Sequence, residues 1–223
     1  MRKWMFIMLI LTCSGTSWGQ VKIDTLDYKY LEDQLYLSIS YNMLQNRPAE
    51  DVNSLFSFGI ELGFIRDIPF NKRRNVGMGI GLGYAFNSYK NQVILSSEDL
   101  SNTDFVQPIK TEKFKTNLIE MPIEFRWRSS TPSKYNFWRI YGGFKLAYTF
   151  LSKTEFKYNE EHIKLKNLSL FNKFQYGAIL SVGYGTWNVY SYYGLSQLFN
   201  GVNVKGEELN LKDFSIGLKF YIL

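Results

Sequence analysis

Residues 117–150 read NLIEMPIEFRWRSSTPSKYNFWRIYGGFKLAYTF. Both halves of this stretch alternate. In the first, Ile119, Met121, Ile123, Phe125 and Trp127 fall on one face, and Leu118, Glu120, Pro122, Glu124, Arg126 and Arg128 on the other. In the second, Trp138, Ile140, Gly142, Phe144, Leu146, Tyr148 and Phe150 share a face opposite Arg139, Tyr141, Gly143, Lys145, Ala147 and Thr149. A period of two means extended strands, because successive side chains leave a strand on opposite sides. Ser130-Thr131-Pro132-Ser133 supplies turn chemistry between them. The stretch therefore predicts an antiparallel hairpin with one apolar, aromatic face and one charged face. Strands in soluble sheets average about five or six residues, and these are roughly twice that. Strands of about ten residues, apolar on one side and ringed by aromatics, suit a wall with lipid outside and a polar interior.

Outward from this hairpin, the N-terminus reads as an export signal. Arg2 and Lys3 precede an apolar run from Trp4 to Leu11, and Ser17-Trp18-Gly19 forms a small-residue cleavage site before Gln20. The run is too short to span a bilayer as a helix. Residues 1–19 are thus expected to be a signal peptide, 20–33 a periplasmic lead-in and 34–223 the barrel. The single cysteine, Cys13, falls in the signal region, so neither disulfide nor thiol chemistry is expected of the mature chain. The formal charge of +6 drops to +4 without Arg2 and Lys3, a mild excess that gives no argument for a nucleic-acid partner.

Further strands follow the same rule. Gln34–Leu44 and Leu55–Ile65 alternate, the second with Glu61 among its inward residues. Asn75–Tyr89 carries Gly77, Gly79, Gly81 and Gly83 at every second position. This spacing is not the G-x-G-x-x-G of a dinucleotide loop. It describes one strand with a bare inner face that leaves room for large side chains opposite. Lys173–Tyr184, Trp187–Leu198 and Leu211–Leu223 complete the set. With Asn117–Arg128 and Trp138–Phe150 the count is eight. The short connections are Asp67–Arg74, Ser129–Asn136 and Gly185–Thr186, and they alternate with longer ones. That asymmetry matches short periplasmic turns and longer extracellular loops. The fold expected is all-β: an eight-stranded antiparallel transmembrane β-barrel, an up-and-down meander in the outer membrane. Closure leaves no sheet edge exposed to lipid.

The chain resembles the PorT-like, or porin-family, outer-membrane β-barrel proteins of the Bacteroidetes. The resemblance rests on GFIRDIPFNKRRN at 63–75, IEMPIEFRWRSSTPSKYNFWRIYGGFKLAY at 119–148 and SIGLKFYIL at 215–223. It implies an outer-membrane location and a link to type IX protein secretion, with secretion-system components as partners. The ending also resembles the assembly signal read by the barrel-insertion machinery, carried here by Ser215, Gly217, Phe220 and Ile222.

For function, the inward face matters most. Glu61, Glu120, Glu124, Arg126, Arg128, Arg139, Lys145 and Lys219 are expected to form a lumen charge network, because unpaired charges in a narrow interior are costly. With a hairpin turn centred on Pro132-Ser133, Glu120 should face Lys145 and Arg126 should face Arg139. Trp127, Trp138 and Trp187 should form an aromatic girdle on the periplasmic side. No catalytic set appears: the one histidine, His162, lies in a polar stretch beside Glu160 and Glu161. One histidine and one cysteine give no metal set, and no cofactor is expected. The expected role is non-enzymatic, structural or as an assembly component in contact with outer-membrane lipid. A small porin-like channel is the alternative, and an outer-membrane enzyme the third.

Overall fold

The structure, a computed structural model, describes residues 33–46, 56–90, 94–95, 109–129, 138–158, 161–166, 171–200, 203–204, 207–208 and 210–222. The signal peptide, nearly all of the lead-in and the Ser130–Ser133 turn lie outside these residues. Eight strands form the wall: β1 (Gln34–Gln45), β2 (Phe58–Pro69), β3 (Val76–Tyr89), β4 (Ile109–Arg128), β5 (Trp138–Tyr158), β6 (Phe174–Tyr184), β7 (Trp187–Gly194) and β8 (Lys212–Ile222). Each pairs antiparallel with its sequence neighbour, and β8 pairs back onto β1 from Leu35↔Ile222 to Gln45↔Lys212. The barrel is closed.

The register fixes its shape. A row of partners starting at Trp138 runs through Tyr184, Trp187, Phe220, Leu37, Leu62, Tyr84 and Ile119, and returns to β5 at Tyr148. Closure thus staggers the sheet by ten residues, the distance from Trp138 to Tyr148. With strands about 4.8 Å apart and about 3.3 Å per residue, that stagger over eight strands tilts them by about 40°. The backbone cylinder then has a radius of about 8 Å, so side chains must fill its interior.

Alternation decides what faces each way. Leu62, Phe64, Leu82, Phe125, Phe144, Leu180 and Val189 are exposed on the outside, while Tyr36, Glu61, Arg126, Lys145 and Tyr190 are buried inside. The glycines of β3 make this interior possible. A Cβ on Gly79 would come 2.5 Å from Arg126 Nε, and one on Gly81 2.5 Å from Ile65 Cγ1. One on Gly83 would collide with Tyr36 Oη.

Several boundaries differ from the sequence expectation. β2 runs to Pro69 rather than stopping at Ile65, so Asp67 belongs to the strand and not to the turn. The expectation stopped there because Arg66 interrupts the apolar face. It is exposed on the lipid side near the turn end, where a long side chain can reach the interface. β4 begins at Ile109 and β5 continues to Tyr158, so that the hairpin projects well beyond the belt. Here the alternation breaks at a bulge. Asn117 pairs with Leu151 but Leu118 with Thr149, leaving Phe150 as an extra residue. Even-numbered residues of β5 face out below it, and the odd-numbered Lys153 faces out above it. Glu161–Lys166, expected as loop, is a short strand paired with β5 at Lys153–Tyr158. β7 ends at Gly194, before the expected Leu198, because Leu198 and Phe199 turn inward and are buried.

Candidate functional site: the filled lumen

β4 carries most of the interior chemistry. Glu120, Glu124, Arg126 and Arg128 recur at even positions and all point inward, each about 1% exposed. The hairpin register sets what they meet. Glu124 lies opposite Gly143, Arg126 opposite Tyr141 and Arg128 opposite Arg139. This is two residues away from the expected register, which had put Arg126 opposite Arg139 and Glu120 opposite Lys145. A slip of two keeps every side chain on its face and changes only its partner.

At the short-turn end, Asp67 receives both arginines: Arg126 Nη1 lies 3.3 Å and Arg128 Nη2 2.6 Å from its carboxylate. Arg128 Nε also donates to the Arg74 carbonyl at 2.6 Å. Arg74 has φ 55°, and this left-handed residue closes the β2–β3 turn. Arg139 donates to the Gly185 carbonyl at 2.7 Å. Gly185, with φ 58°, opens the two-residue β6–β7 turn in a region glycine enters at no steric cost. Above this layer, Arg126 Nε reaches Glu124 at 3.1 Å, and Tyr221 donates to the same carboxylate at 3.1 Å. The Arg126 guanidinium lies 4.8 Å from the centre of the Tyr141 ring and 5.6 Å from that of Tyr221.

In the middle, Lys145 donates to Glu61 and lies 3.2 Å from Glu120. Lys145 thus meets Glu120 across the lumen although the ladder pairs it with Pro122. Tyr36 donates to Glu120 at 2.7 Å. Lys219 sits 3.8 Å from both Glu61 and Glu124, under the rings of Tyr36 and Tyr190. All eight expected lumen charges are buried, and all but Arg139, which is held by the Gly185 carbonyl, are linked through ion pairs that run by way of Asp67.

Sequence reasoning missed two members. Asp67 and Asp213 are both buried and both in phase with the inward residues of their strands. The alternation itself carried that signal. Among the described residues, the buried charges are then five acids (Glu61, Asp67, Glu120, Glu124, Asp213) and five bases (Arg126, Arg128, Arg139, Lys145, Lys219). Summed over these described residues, the interior is formally neutral.

The mouth at the end opposite the short turns is closed differently. Phe114 stacks on Tyr89 at 4.6 Å and meets Phe171 and Phe199, each at 5.6 Å. Phe171 and Phe199 bridge to each other from the two segments flanking β6 and β7. With buried Leu44, Leu198 and Leu211 they make an apolar cap above the ionic layer. No periodicity announced it, because two of its rings, Phe171 and Phe199, come from segments read as loops.

The remaining expected sites lie on the wall. Trp127, Trp138 and Trp187 are exposed near the short-turn end, with Trp138 against Tyr184 and Trp187 against Phe220. In β8, Ser215 is buried and Gly217 shares its phase, while Ile222 is exposed and Phe220 shares that outer phase. The backbone of His162 pairs with Lys157. Among the described residues no cluster of three or more His, Cys, Asp or Glu could hold a metal ion.

An apolar outer belt around a closed eight-stranded wall and a charged interior defines a small transmembrane β-barrel. The chain belongs to the outer membrane protein beta-barrel domain family, whose profile matches residues 18–200, and its membrane is the outer membrane. Its structure is similar to that of Neisserial surface protein A (NspA), with 12% identity and a TM-score of 0.45 over 86% of this chain and 96% of that one. It is also similar to Ail, the attachment invasion locus protein of Yersinia pestis, with 11% identity and a TM-score of 0.37 over 85% and 96%. No curated protein sequence matches the chain.

Proposed function

We propose that this barrel is a non-enzymatic, non-conducting scaffold of the outer membrane, a component of a larger assembly rather than a pore. The observation that carries this reading is the neutral lumen. Five acids and five bases fill the described interior, and an aromatic cap covers its outer mouth. A permeant ion would have to break pairs such as Arg126–Asp67 and Lys145–Glu61, at a cost set by leaving buried charge unpaired. Acid–base chemistry needs a carboxylate that a substrate can reach, and Glu120 and Glu124 are each about 1% exposed. The sequence resemblance to PorT-like barrels extends the proposal to type IX secretion, with secretion-system components as partners. Export by a peptide cleaved after Gly19 and insertion through Ser215, Gly217, Phe220 and Ile222 belong to the same reading.

The test is planar-bilayer recording of the purified barrel, paired with co-purification from native outer membranes. No steady current and a stable set of co-purifying secretion components are expected. Steady conductance would install the small channel instead, and hydrolysis of lipid A or peptide by the pure protein would install the enzyme.

A further inference from the structure

Above the belt, the projecting hairpin carries a grid of lysines. On its outward face the register aligns Lys115, Lys153 and Lys166 in one row and Lys113, Glu155 and Lys164 in the next. Lys153, Lys164 and Lys166 are exposed, and Lys113 and Lys115 half-exposed. Lys90, exposed at the end of β3, adds a further cation beside Lys113. Glu155 is the one acid among the described side chains of this grid, 3.7 Å from Lys115. Like charges directly opposite each other in a sheet are destabilising, yet here three lysines stand side by side on neighbouring strands. Partial burial, and then the ammonium of Lys115, hold Lys113 below the ordinary lysine pKa.

The height of the grid is informative. Just beneath it lies an aromatic ring of Tyr84, Tyr148, Phe150 and Phe174, with Tyr148 and Phe174 5.1 Å apart. Tyr84 donates to Asn117 in the same ring. Such a ring marks the upper edge of the hydrocarbon. Lys153 is three residues beyond Phe150 and Lys115 two beyond Asn117. At the tilt fixed by the register, that puts the lysines roughly 5–8 Å above the edge. The headgroup layer occupies about the same interval. The grid also faces the same way as the lipid-facing side chains below it, outward and not toward the mouth.

From this placement we infer that the lysine grid is a binding surface for phosphorylated glycolipid headgroups of the outer leaflet, with the phosphates seated between the rows. The surface does not depend on the secretion reading. It requires only the barrel, its orientation and the lipid around it.

The experiment refolds the full chain into phosphatidylcholine vesicles doped with bisphosphorylated lipid A or with lipid A stripped of phosphate. Lipid co-isolated with the barrel is measured against the mole fraction supplied. Proper folding is checked by the gel-mobility change on heating. Wild type should enrich the phosphorylated form. Lys115→Gln/Lys153→Gln/Lys166→Gln should lose that preference by about tenfold or more, as three juxtamembrane lysines require. The triple arginine variant should keep it, and Lys212→Gln, on the opposite wall, should leave it unchanged. Equal enrichment by wild type and the glutamine variant overturns the proposal, as does equal enrichment of both lipids. Heparin binding through these lysines, with no preference between the lipids, would also overturn it and identify a soluble polyanion as the occupant.

Discussion

Glu124 shows how much one carboxylate can hold. Arg126 at 3.1 Å, Tyr221 at 3.1 Å and Lys219 at 3.8 Å all converge on it inside the wall. Removing it leaves buried Arg126 with Asp67 alone and Lys219 with Glu61 alone, so Glu124→Ala should cost about 3–5 kcal/mol of stability. Glu155, half-exposed and 3.7 Å from Lys115, should cost under about 1 kcal/mol as alanine. Urea unfolding of both variants in lipid measures the difference, and equal midpoints would mean a solvated lumen. Gly83 supplies a second test. A methyl there meets Tyr36 Oη, whose hydroxyl donates to Glu120, so Gly83→Ala should cost about 1–3 kcal/mol by overpacking. In a Tyr36→Ala background the clash with the ring is gone and the Leu62 carbonyl, 2.9 Å from the methyl, still opposes it, so the same change should cost less, and a double-mutant cycle reads that coupling. Without the coupling, the bare face of β3 would have some other purpose. At this scale the sequence was legible where a residue kept phase inside a recognised strand. Asp67 escaped because the strand was ended two residues before it, at Ile65, whereas Asp213 kept phase inside the last strand and was legible there without being among the expected charges.

For whole strands, depth decides what a charge costs. Phe144 lies midway along the belt portion of β5 and is exposed to lipid, so Phe144→Arg should destabilise by about 2–4 kcal/mol. Arg66 already stands on the lipid face of β2, two residues from Ile68 at the short-turn end. Arg66→Leu should change stability by no more than about 1 kcal/mol, the near-interface value. Unfolding midpoints in vesicles compare them, and a large loss for Arg66→Leu would give that arginine a specific partner. Facing and strand number were legible from period two alone. Register was not, because hairpin alignment depends on turn geometry, and the turn residues 130–137 carry no dipeptide that fixes it. The extension above Phe150 was hidden for a similar reason: a bulge reverses the alternation, and a window counting matches reads the reversal as a strand end.

Taken whole, the barrel is closed by two unlike devices in series, a neutral ionic layer and an apolar cap. Conductance should therefore be absent in the wild type and also in Phe114→Ala/Phe199→Ala, since removing the cap leaves the ionic layer in place. Planar-bilayer recording of both is the check. Steady current in the double variant alone would make the aromatic cap the actual gate. Charge balance of the lumen lay within reach of the alternation, but it needed β2 carried on to Asp67 and Asp213 counted beside Lys219. The cap could not have been foreseen, since Phe171 and Phe199 meet only after β6 and β7 have folded between them.

The seam between β1 and β8 has a consequence for biogenesis. Every other wall pairing joins strands consecutive in sequence, whereas this one joins the first strand made to the last. Until Lys212–Ile222 arrives, the sheet has two raw margins that hydrocarbon will not accept. Closure of the wall must then wait for β8. A product ending at residue 211 should accumulate as no partial barrel at all, only as a substrate for periplasmic proteolysis.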